Sequence, residues 1–158
     1  MKRPKATAGG IRIVFNGAEA DLLSSIAGGL AELLGSAENE HGDPALERLL
    51  PDGYRDNPED AAEFRRFTQT ELVDEKVAGA QAIVTALADR TPAGDAALLL
   101  SSPEAISWLR SLNDIRLALA SRLGIVDESY RPGPGNNDYA VYVWLGQLQF
   151  LLLRAVDR

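Results

Sequence analysis

The segment from Asp138 to Val156 sets the strongest limit on this fold. Val141, Tyr142, Val143, Trp144, Leu145, Leu148, Phe150, Leu151, Leu152, Leu153 and Val156 are spread around every side of a helix, and only Gln147, Gln149 and Arg154 interrupt them. A helix that is apolar nearly all round must be enclosed by neighbours or share a face with a partner. The expectation is a central position in a helical bundle, with a homodimer seam as the alternative. The chain has 158 residues, 46% of them hydrophobic, which suffices to enclose such a helix within one domain. No stretch reaches the roughly 18 consecutive apolar residues of a bilayer span, so no membrane segment is expected.

The remaining segments supply that helix with neighbours. Ile11-Arg12-Ile13-Val14-Phe15 alternates and is rich in β-branched residues, which predicts a strand. Asn16 with Glu19 three residues on has capping-box spacing and opens a helix over 17–34, with Gly35 as its stop. Gly28 and Gly29 weaken that helix unless they permit close packing against a neighbour. Asp43-Pro44 starts a short helix over 44–50, and Pro51-Asp52-Gly53 is a turn. Asn57-Pro58 opens another helix. Phe64 and Phe67 point about opposite to Leu72, Val73, Val77, Ile83 and Leu87, and Thr68 with Glu71 offers a second box. A break or kink near Thr68 is therefore expected, with a continuous helix packed on two sides as the alternative. Ala97-Leu98-Leu99-Leu100 reads as a strand beside 11–15. A helix over 103–123 ends at Gly124, and a Pro- and Gly-rich loop over 131–137 precedes the last one. The expected fold is mainly α: a bundle of about six helices with a small two-stranded sheet over 11–15 and 97–100. Residues 11–158 form a single domain, and 1–10 is a flexible basic tail.

Composition removes several chemistries. There is no Cys, which excludes disulfides, thiolate metal sites, Cys nucleophiles and thiol redox sensing. The single His, His41, lies in an acidic polar stretch and reads as solvent-exposed. No Asp/Glu/His set has metal-ligand spacing. Gly133-Pro134-Gly135 lacks the Gly-Lys-Ser/Thr ending of a phosphate loop. No enzyme activity and no cofactor are expected. Three of the 16 basic residues and none of the 23 acidic ones lie in 1–10, so the rest of the chain carries 13 against 23. Such a body is a poor DNA binder, and no helix shows a basic face with base-reading residues.

Three polar residues break the apolar faces. Arg116 projects from the centre of the face built by Trp108, Leu112, Ile115, Leu119 and Leu123, with Asn113 on the same side and Arg110, Asp114 and Ser121 opposite. A buried guanidinium needs a carboxylate or several carbonyls. A structural pair is expected, and a ligand or partner contact is the alternative. Lys76 sits among Leu72, Ala80, Ile83 and Leu87, where its stem covers apolar surface while its ammonium reaches water. An anionic ligand follows only if Lys76 and Arg116 face one cavity. Tyr142 and Trp144 are the candidate interface residues of the last helix.

Four stretches in order then resemble a known family. They are Leu50-Pro51-Asp52-Gly53-Tyr54-Arg55-Asp56, Ala61-Ala62-Glu63-Phe64-Arg65-Arg66-Phe67-Thr68, Trp108 through Leu119 followed by Arg122-Leu123-Gly124, and Tyr142-Val143-Trp144-Leu145-Gly146. Together they resemble the actinobacterial AosR-type family, over essentially the whole chain from Ile11. The resemblance implies a cytoplasmic, non-enzymatic oxidative-stress transcriptional regulator that acts with an alternative sigma factor and promotes cysteine-biosynthesis genes. Its genes tend to lie beside that of the Clp protease adaptor, which makes a scaffold or adaptor in Clp proteolysis the alternative. Direct thiol sensing does not carry over, because this chain has no thiol. Protein contact with a sigma factor or polymerase is the expected mode of action.

Overall fold

Asn16 turns the chain from sheet into helix. In the computed structural model, which describes residues 1–36, 43–50 and 58–157 (for 58–69 the helix backbone), the Asn16 side chain accepts from the Glu19 amide at 2.8 Å. The Glu19 carboxylate accepts the Asn16 amide at 2.9 Å. This reciprocal box caps α1 (Gly17–Gly35), as its spacing predicts. Glu19 also holds the N-terminal ammonium at 2.7 Å. Gly35 is the last helical residue rather than the stop. Ser36 follows it, with its amide on the Glu32 and Leu33 carbonyls. Gly28 and Gly29 face open space, so they permit no close packing.

The sheet has three strands where two were expected. β1 (Lys2–Thr7) pairs antiparallel with β2 (Gly10–Phe15), and β3 (Ala96–Leu100) lies antiparallel on the other side of β2. Ile13 stands opposite Leu98 there. The stretch expected as a flexible tail thus includes an edge strand, joined to β2 through the two-residue loop Ala8-Gly9. Gly10 at φ +139° fits only as glycine, since a Cβ there would lie 2.5 Å from the Leu100 carbonyl oxygen. Lys2, Arg3 and Lys5 are exposed on β1. Charged edge residues of this kind guard against stray pairing, and they leave no apolar alternation to read.

Among the described residues there are five helices rather than about six. α2 (Pro44–Leu49) starts at Asp43, whose carboxylate accepts the Ala45 amide at 2.8 Å. α3 (Pro58–Ala88) runs unbroken through Thr68. No Pro or Gly stands between Pro58 and Gly79 to interrupt its ladder, and box spacing alone does not stop a helix. α4 (Ser102–Leu123) begins with a Ser101–Glu104 box and ends at Gly124 in the left-handed region, φ +76°. α5 (Asn137–Val156) is capped by the Asn136 side chain on the Tyr139 amide. His41 and the turn at Pro51-Asp52-Gly53 lie outside the described residues.

α4, not α5, is the central helix. It contacts α1, α2, α3, α5 and the sheet. Phe15 is fully buried at the junction, stacked on Trp108 at 6.2 Å between ring centroids and edge-on to Trp144 at 6.4 Å. Ile13, Leu23, Ile83, Leu112, Ile115 and Leu148 complete the same core, each contributing about 1.5–3 kcal/mol. α5 buries one face only, through Leu145, Leu148, Leu152 and Ala155. Its outer side leaves Val143, Phe150 and Leu153 at 40%, 58% and 51% exposure, which overturns the expectation of an enclosed helix. By length and composition alone α5 is also long and apolar enough to cross a membrane.

Candidate functional site

Asp114 and Arg116 stand about 200° apart around α4. Because α4 is flanked on both sides, the two side chains enter different interfaces, Asp114 toward α3 and Arg116 toward α5. Asp114 lies opposite the apolar face, as the periodicity predicts, but α3 packs there and Asp114 is buried.

Lys76 reaches Asp114 from α3, with Nζ donating to Oδ1 at 2.8 Å. The side chains are 19% and 9% exposed, so this is a largely desolvated pair rather than a lysine reaching bulk water. A cleft of about 300 Å³ opens beside it, lined by Leu72, Lys76, Gly79, Ser107, Ser111 and Asp114. Glu75 and Arg110 stand exposed at its mouth, 3.8 Å apart. Gly79 lets the helices approach: a Cβ there would lie 2.6 Å from the Ser111 hydroxyl. Asn113 is exposed and lines the same cleft, so it groups with Lys76 and not with Arg116. The cleft presents acids, bases and hydroxyls together, and its most buried cation and anion neutralise each other.

Arg116 finds no carboxylate among the described residues. Its Nη1 donates to Gln149 Oε1 at 3.2 Å, and the guanidinium lies over the Tyr142 ring, 4.5 Å from the centroid. The buried Nε has no hydrogen-bond partner among the described residues. The expected carboxylate or set of carbonyls is thus replaced by an aromatic face and one amide, which suffice because the side chain is only half-buried. Gly146 makes room for it, since a Cβ at that position would sit 3.1 Å from Nη2. Lys76 and Arg116 do not share a cavity, so the condition for an anionic ligand held by both is not met.

Of the two candidate interface residues, Tyr142 forms the platform under Arg116 and stacks on Tyr139 at 6.2 Å, which in turn meets Tyr130 at 5.6 Å. Trp144 turns inward onto Phe15 and is half-buried. The bare side chains are Val143, Phe150 and Leu153 instead. Sequence reasoning missed Asp114, Gly79 and Gly146. The spacing of residues 143, 150 and 153 was the available signal for the bare side of α5.

The chain matches, over residues 1–156, the family described as a domain of unknown function, DUF2017. It is 32% identical over 171 aligned positions to the oxidative stress regulator AosR of Mycobacterium tuberculosis, which covers 85% of this chain and 77% of that protein. The protein of the same name in Mycobacterium bovis is equally similar over the same span. No solved structure matches the chain.

Proposed function

The chain belongs to the DUF2017 family and is related to the AosR regulators, and from that membership we propose that it is a non-enzymatic regulator of the oxidative-stress response, acting on transcription through protein contacts with a sigma factor or polymerase. The observation that carries this reading is the 32% identity to AosR across 85% of the chain, which spans both polar insertions of α4. Charge supports the mode of action. Outside residues 1–10 the chain holds 13 basic against 23 acidic residues, so a phosphate backbone is repelled over most of its surface. Thiol chemistry is excluded by composition. An oxidant signal therefore reaches this protein through its partner or its abundance and not through a cysteine of its own.

The test is capture of the tagged protein from its native cytoplasm before and after an oxidant pulse, with a promoter-DNA shift assay of the purified protein as control. Recovery of a sigma factor or polymerase subunit, increased by oxidant, is the expected result. Tight, salt-sensitive operator binding by the protein alone would contradict it.

A further inference from the structure

Where α3 meets α4, both helices present polar side chains. On α4, Ser107, Arg110, Ser111 and Asp114 are spaced to share one face. On α3, Leu72, Glu75, Lys76 and Gly79 repeat the same spacing. The two sets line the cleft of about 300 Å³ between the helices. A face that served packing alone would be apolar, as α4 is on its other side, where Leu112 and Ile115 are buried. Glu75 and Asp114 balance Lys76 and Arg110, so the cleft is neutral as a whole. Such a site favours a ligand that carries both charges over a simple anion or cation.

The most buried groups of the cleft have bonding capacity left over. The Asp114 side chain is 9% exposed and takes its hydrogen bond from Lys76 on Oδ1. A carboxylate accepts on both oxygens, yet Oδ2 has no partner among the described residues. Ser111 is 3% exposed, and its hydroxyl has no partner among them either. Neither atom is sealed from solvent, so both open onto the cleft. Lys76 Nζ donates to Asp114 and keeps N–H donors to spare. Oδ2 and the Ser111 hydroxyl suit a ligand ammonium, whereas Lys76 and the Arg110 guanidinium at the mouth suit a carboxylate. We propose that the α3–α4 cleft binds a small zwitterion of the α-amino acid class. Its ammonium lies between Asp114 and Ser111, its carboxylate toward Lys76 and Arg110, and its side chain against Leu72. A volume of about 300 Å³ stands at the small end of ligand sites, which suits a free amino acid and not a drug-sized molecule. Such binding is independent of which macromolecule the protein contacts.

The test is thermal melting of the purified protein with each of the protein amino acids in turn, at about 10 mM. At least one is expected to raise the melting temperature by about 3 °C or more, with a Kd of roughly 0.1–1 mM by titration calorimetry. The N-acetyl form of that amino acid lacks the ammonium, and its amide lacks the carboxylate. Each is expected to bind about 10-fold more weakly or worse. Ser111→Ala is expected to keep the melting temperature of the unliganded protein and to weaken binding about 10-fold. Lys76→Met with Asp114→Leu keeps the helices packed through an apolar pair and is expected to abolish binding. No stabilisation by any of the amino acids, equal binding of the N-acetyl form, or undiminished binding by the folded double variant would each overturn the proposal.

Discussion

Arg116 and Lys76 look alike in the sequence, as one basic residue on each of two apolar helix faces, yet their settings differ. Lys76 neutralises a buried carboxylate, whereas Arg116 rests on an aromatic ring and an amide. Removing Lys76 leaves Asp114 desolvated and alone, so Lys76→Ala is expected to destabilise the protein by about 3 kcal/mol. Arg116→Ala loses a cation–π contact, one hydrogen bond and packing, about 1–2 kcal/mol. Urea unfolding of both variants checks the order, and an Arg116 variant less stable than the Lys76 variant would reverse the assignment. Adding Asp114→Leu to Lys76→Met is expected to recover much of the loss, because an apolar pair of similar volume replaces the ion pair. The polar positions were legible from helical periodicity. Their partners were not, because periodicity on α4 says nothing about which helix covers the far side.

Among the elements, those with local signals were read closely. The Asn16–Glu19 box, the Asp43-Pro44 start and the Gly124 stop need only neighbouring residues, and all are present. β1 and the continuity of α3 depend on tertiary pairing, and both were misread. A charged edge strand has no periodic core face, and a box spacing with no Pro or Gly close to it does not end a helix. Asn16→Ala and Ser101→Ala are each expected to lower stability by about 1 kcal/mol. Their effects should add, because the two caps lie at opposite ends of the β2–β3 ladder. Glycines separate by environment. Gly28→Ala and Gly29→Ala meet open space and are expected to stabilise α1 by up to about 1 kcal/mol each. Gly17→Ala would press a Cβ to 2.1 Å from the Ala93 carbonyl oxygen and is expected to destabilise by about 2 kcal/mol or more. Thermal melts of the three variants distinguish these outcomes.

At the scale of the whole molecule, the acidic, cysteine-free composition narrows function more than any side-chain cluster does. Treatment with hydrogen peroxide is expected to leave the isolated protein's melting temperature within about 1 °C of its untreated value, since Met1 holds the only sulfur. A large shift would show an oxidant target in this chain. Function was legible only through the order of four sequence stretches, because the core polar residues serve packing as well as they would serve a ligand. The exposure of α5 was illegible, since a helix apolar on every side gives no hint of which side its neighbours leave bare. The central claim is that this regulator acts through protein and not through DNA. The most direct measurement is fluorescence anisotropy of a labelled promoter titrated with this protein at physiological salt, alone and with polymerase holoenzyme. Flat anisotropy with the protein alone, to about 10 μM, and increased promoter occupancy by the holoenzyme in its presence are predicted. Saturable, salt-sensitive binding of the promoter by the protein alone would contradict the claim.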